Sequence, residues 1–262
     1  MEKATISAQI TWLHGAVAGA GLLVLVLLFF ADKTNLNNDP GGITSNQVDK
    51  VQKASTDEGL LELIPPLSGL EGWDDVRIAL AKANGTEEEG DRLKDAVTFL
   101  RDKGRLDAAS VYAGRLAELD PGPKNWLVAG ALAREAAVST TAISTDEEKF
   151  GRFVEQSIDF LSKAVEAEPE NEDALIELGL VYIGSGKPEF SMQGIQQLLK
   201  VLELNPDNGE AAFHLGMFSR QTGQWEKAAG RFETVVRVDP QNYPAKYFLA
   251  LTYLDLGKSE EA

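Results

Sequence analysis

The sequence predicts an all-α solenoid of helix-turn-helix repeats preceded by a single transmembrane helix. Two observations carry this. A pattern of small, apolar and proline positions returns at ~34-residue spacing through the later part of the chain. Ahead of it lies an apolar run long enough to cross a bilayer. Composition agrees, since 44% hydrophobic and 25% charged residues describe an ordinary folded protein rather than a disordered one.

Composition also excludes several chemistries. With no cysteine there is no disulfide, thiolate nucleophile or cysteine-held metal cluster. The two histidines, His14 and His214, are far apart in sequence, which leaves no histidine-rich metal site. A net charge of −16 repels phosphates and argues against nucleic-acid or anionic-lipid partners.

Residues 1–9 form a short cytoplasmic head. Residues 10–31 are apolar apart from Thr11 and His14, about 33 Å of helix against a core of roughly 30 Å. The run ends Leu28-Phe29-Phe30-Ala31-Asp32, with bulky Phe29 where signal cleavage needs a small residue, so the segment reads as an uncleaved anchor. Lys3 and Lys33 flank it on either side and orient it weakly. The short head favours translocation of the rest of the chain. The expectation is a single-pass protein of the bacterial inner membrane with its bulk in the periplasm. Gly15 and Gly19 form a small-xxx-small pair suited to packing against a second membrane helix. Residues 32–57, rich in Asn, Asp and Gly, read as a flexible linker spanning roughly 30 Å.

Residues 58–89 hold two capping helices. The first, 58–64, is stopped by Pro65-Pro66; the second, 73–83, carries Trp73, Val76 and Leu80 on one stripe. Repeat 1 covers 90–122, with Leu93, Ala96, Val97 and Leu100 on one helix, Ala109, Ala113 and Leu116 on the next, and Pro121 at its end. Repeat 2 covers 123–171, with an insertion at 139–148 that ends in a helix cap and first-turn acids. Repeat 3 covers 172–208, with Leu178-Gly179, Leu198, Val201 and Pro206. A three-residue excess near 184–188 is expected to lengthen its turn, and Gly194 replaces the usual Ala. Repeat 4, 209–242, is the most regular, with Leu215-Gly216, Ala228, Phe232, Val235 and Pro240. Repeat 5, 243–262, is incomplete, since Ala262 falls where Ala228 falls in repeat 4. We read a fragment here, the other explanation being a partner that covers Tyr247, Phe248 and Leu251.

A ~34-residue unit with a Leu-Gly pair, a later Ala, an aromatic and a closing Pro resembles the tetratricopeptide repeat family. The resemblance runs over residues 90–262, about two-thirds of the chain. It implies a right-handed superhelical solenoid whose first helices line a concave groove that holds peptides or helices. Read at i, i+4, i+7, that groove contains Ile176, Leu180 and Ile183, then Phe213, Met217 and Arg220, then Tyr247, Leu251 and Leu254. Earlier repeats offer Leu127, Ala131 and Arg134, and Lys94, Thr98 and Arg101. The carboxy-terminal half is thus an apolar trough, to which Arg101, Arg134 and Arg220 add scattered positive charge. A misreading by one helical step would move some of these residues into the core. Chaperone-binding members of the family clamp a terminal carboxylate; Lys94 fits one clamp position, but Thr98 and His214 depart from it.

No nucleophile–His–acid set, phosphate loop or metal-ligand spacing occurs. The expectation is therefore no enzyme, no cofactor and no metal. The chain reads as a membrane-anchored scaffold for a protein or peptide partner, resembling envelope-assembly or chaperone-like accessory factors such as those of cytochrome c maturation. The alternative is a non-catalytic subunit of a stable membrane complex or homodimer, held through Gly15, Gly19 and repeat 5.

Overall fold

The computed structural model describes residues 66–143 and 146–258. Among the described residues there are ten α-helices and no strand. The first, α1 (Trp73–Ala83), is followed by the pairs α2 (Glu89–Asp102) with α3 (Leu106–Leu119) and α4 (Pro123–Ile143) with α5 (Glu147–Ala167). Next come α6 (Glu172–Gly184) with α7 (Pro188–Leu204) and α8 (Gly209–Gln221) with α9 (Trp225–Val238), and then α10 (Tyr243–Asp255). The expected anchor at 10–31 with Gly15 and Gly19, the linker at 32–57 and the helix at 58–64 lie outside the described residues. Among the described residues no helix is long and apolar enough to cross a membrane.

Local chemistry sets the helix boundaries. Asn171, Asn208 and Asn242 open α6, α8 and α10, each accepting a hydrogen bond from the backbone N–H of Ala174, Ala211 or Ala245. This satisfies a donor that a helix start leaves orphaned. Asp146 does the same for α5 through Lys149. In three of the paired units the chain turns at a left-handed glycine, Gly104, Gly186 or Gly223, with φ of 70°, 71° and 71°. There Arg105 N–H donates to the Leu100 carbonyl and Gln224 N–H to the Ser219 carbonyl, which closes the last turn of α2 and α8. Pro121, Pro169, Pro206 and Pro240 follow the second helices and lack the N–H needed to continue them.

Even-numbered helices form one layer and odd-numbered helices from α3 onward the other. In the even layer α4 meets α6 and α8 meets α10; in the odd layer Phe160 of α5 lies over Gly114 of α3. Four buried apolar clusters run along the array in place of one central core, the serial packing of a repeat protein. The layers touch most closely where side chains are absent. A Cβ on Gly194 would lie 2.5 Å from the Gly179 carbonyl oxygen, and one on Gly216 would lie 2.8 Å from the Phe232 ring. Phe232 is fully buried there and also faces Phe213 and Phe248, with ring centroids 5.8 and 5.9 Å away.

Two expectations are corrected. Residues 139–143, expected as part of an insertion, continue α4, which reaches 21 residues. Within that helix the hydroxyls of Ser139 and Thr140 are satisfied by donating back to the carbonyls of Glu135 and Ala136. Repeat 2 is thus enlarged by longer helices on both sides of the turn. In repeat 3 the excess lies in α7, with 17 residues against 14 in α3 and α9. Pro188 starts that helix a turn early, at the position where its missing N–H is harmless.

Candidate functional site

The spacing of the first helices brings most of the expected groove residues onto the even-numbered layer. On α8, Phe213 and Met217 are half-buried, and the Phe213 ring lies 6.0 Å from that of Phe248 on α10. On α10, Tyr247 is 61% and Leu254 54% exposed, and Leu251 is half-buried. Tyr243, 64% exposed, extends this stripe by one further turn. On α6, Leu180 and Ile183 are partly buried against the third apolar cluster. Leu127 on α4 packs against the second.

Ile176 is not a groove residue. It is 3% exposed and shares a buried cluster with Ala211 and Leu215 of α8. Leu198 and Val201 of α7 belong to the same cluster, which encloses this turn of α6.

The arginines are also corrected. Arg134 uses Nε and Nη2 to hold both carboxylate oxygens of Glu177, linking α4 to α6. The two side chains are 16% and 20% exposed. Burial alone would lower the guanidinium's pKa, but the charge and hydrogen bonds of Glu177 outweigh that and hold it above its ordinary value. Arg220 ties α8 to α10, donating to Thr252 Oγ1 at 3.2 Å and lying 2.8 Å from Asp255 Oδ2. Its guanidinium also stands over the Trp225 ring. Both charges are engaged within the array, as partly buried cations must be. Lys94 is exposed and its Nζ lies 3.1 Å from Asp91 Oδ1; Arg101 is exposed at the amino-terminal end of the layer.

Around the Arg134–Glu177 pair lies a group that the apolar reading missed. Glu135 of α4, Asp173 of α6 and Glu210 of α8 are exposed carboxylates on the same layer. Loss of hydration raises the pKa of Glu210, and repulsion from Glu177 and Asp173 adds to it. Glu135 is also raised, chiefly by lost hydration, against the opposing pull of Arg134 and Arg101. His214, beside Phe213, is held neutral: burial, with the Arg134 charge second, pushes its pKa down to about 4. For Glu210 alone the signal was in the sequence, since Glu210, Phe213 and Met217 fall at i, i+3, i+7 on one face. Among the described residues no group of three or more His, Asp or Glu side chains is placed to hold a metal ion.

This geometry defines a helical-repeat protein with an apolar stripe and an acidic group on one layer. Residues 219–262 match the tetratricopeptide repeat family. Among solved structures, the MamA protein is 20% identical, with 66% of this chain and 86% of that one covered and a TM-score of 0.51. A tetratricopeptide repeat protein from Parabacteroides merdae ATCC 43184 is 17% identical, with 81% and 73% covered and a TM-score of 0.53. At these identities the likeness is one of fold. No curated protein matches the chain by sequence.

Proposed function

We propose that this protein is a non-catalytic interaction scaffold that receives a peptide or short helix along Phe213, Met217, Tyr247, Leu251 and Leu254. The observation that carries the reading is the stripe on α10, where Tyr243, Tyr247 and Leu254 are each more than half exposed. It continues onto Met217 and Phe213 of α8. Contiguous exposed apolar surface on a repeat layer marks an interaction site, and an amphipathic helix or extended peptide is the usual occupant of such a groove.

The apolar run at residues 10–31 supports placing the scaffold at a bacterial inner membrane, with the repeats on the periplasmic side. There it acts as an assembly or chaperone-like accessory factor of the envelope, cytochrome c maturation being one such setting. Replacing Met217 by Glu sets a charge in the middle of the stripe. Partner binding is then lost while helical circular dichroism is retained; unchanged binding refutes the groove. A tag after Lys258 is expected to be cut by protease added to intact spheroplasts, and protection there refutes the periplasmic placement.

A further inference from the structure

We infer that the occupant of this face is a cationic amphipathic segment. Its apolar side lies on Phe213, Met217, Tyr247 and Leu254, and its lysine or arginine side chains reach Glu210 and Glu135. This rests on the groove proposed above and adds the chemistry of the partner. The face changes character along its length. At α10 it is apolar and exposed, and at α8 apolar and half-buried. Toward α6 and α4 it carries Asp173, Glu177, Glu210 and Glu135, and among these Arg134 is already held by Glu177. That leaves three exposed carboxylates at the centre of the layer, Asp173, Glu210 and Glu135, against the single Arg134 charge that Glu177 already holds and Arg101 at the end of the layer.

Glu210 is the hinge between the two regions. It precedes Phe213 by one turn and Met217 by two, so a ligand seated on those side chains passes beside its carboxylate. Glu177 and Asp173 repel it from the next helix. A ligand cation placed there removes that repulsion and gains attraction from groups that have already lost part of their hydration. An acidic or phosphorylated segment meets the opposite sign at the same point. The net charge of −16 steers a basic ligand inward from solution as well.

The test uses the full chain in detergent and three labelled peptides of ~14 residues with leucine at helical spacing. The remaining positions are Lys, Gln or Glu, and binding is read by fluorescence anisotropy. The Lys peptide is expected to bind about tenfold more tightly than the Gln peptide, and the Glu peptide more weakly than either. The double variant Glu135→Gln/Glu210→Gln abolishes the tenfold preference and leaves binding of the Gln peptide unchanged. Glu118→Gln/Glu166→Gln, exposed on α3 and α5, removes the same charge from the other layer and leaves the preference intact. Equal binding of the Lys and Gln peptides overturns the cationic assignment while the groove stands. So does a preference that survives Glu135→Gln/Glu210→Gln or is lost equally in the α3/α5 control. If no peptide binds, or if Tyr247→Ala/Leu254→Ala binds all three as the parent does, the groove itself is refuted and the inference with it. Self-association in sedimentation that Tyr247→Ala/Leu254→Ala removes assigns the face to a second copy and also overturns the inference.

Discussion

Replacing Gly194 by Ala probes how the array is held together. A methyl group there lies 2.5 Å from the Gly179 carbonyl oxygen, 2.7 Å from Ile183 Cγ1 and 3.1 Å from the Ile183 backbone nitrogen. Ordinary contact begins near 3.4 Å, so α6 and α7 must separate by roughly 1 Å in a close-packed interior. Overpacking of this kind destabilises by about 1–3 kcal/mol, and backbone obstacles place it at the upper end. Alanine's better helix propensity returns about 1 kcal/mol. The net loss is about 2 kcal/mol, a fall in Tm of about 4–8 °C for a chain of this size. Gly230 is the matched control, exposed in the middle of α9 with nothing within 4 Å of its added Cβ. Gly230→Ala is expected to gain about 0.5–1 kcal/mol. Thermal and urea unfolding followed by far-ultraviolet circular dichroism measures both. If Gly194→Ala is as stable as the parent while Gly230→Ala behaves as stated, α6 and α7 do not make the backbone contact described.

Two further outcomes concern the charged centre. Arg134→Met leaves Glu135, Glu177 and Glu210 together without their cation, whereas Glu177→Gln leaves Arg134 with two carboxylates nearby. Arg134→Met is therefore the more damaging at neutral pH, by about 2 kcal/mol against less than about 1 for Glu177→Gln, after discounting for the pair's partial exposure; urea unfolding separates them. Glu210→Gln has the opposite sign. The raised pKa of Glu210 means that the fold favours its protonated form, so the ionised carboxylate weakens the fold as pH rises through that value. The Gln variant is expected to be more stable than the parent at neutral pH. That advantage shrinks to nothing below about pH 4, where the parent is protonated in both states. An advantage that persists unchanged into acid contradicts the assignment.

Much of the array was legible because its constraints are local. The small residues at 216 and 228 and the proline at 240 state where two helices touch and where the second stops, and α8 and α9 obey them. Helix lengths were less legible. A Ser-Thr run has weak helix propensity, and packing decides its state: Thr140 is buried within α4, its hydroxyl bonded back to the Ala136 carbonyl. Depth was the second limit. Ile176 has the spacing of a groove residue, and only its place in the cluster shared by α6, α7 and α8 shows that it is core. Pairing was the third, since Arg134 and Glu177 are 43 residues apart and no periodicity joins them. The apolar stripe was therefore readable from repeat spacing, with Glu210 on the same face, while the rest of the acidic group emerged only from the placement of α4 and α6 beside it.

The central claim is that a partner enters by the even-numbered layer. A photoreactive residue at position 217, on α8, compared with one at exposed Gln196 on α7, tests it in the full chain in the cells that express it. The account predicts discrete crosslinked products from 217, none from 196, and their loss when Tyr247 and Leu254 are both replaced by Ala. The same products from both positions, or products from 196 alone, would contradict it.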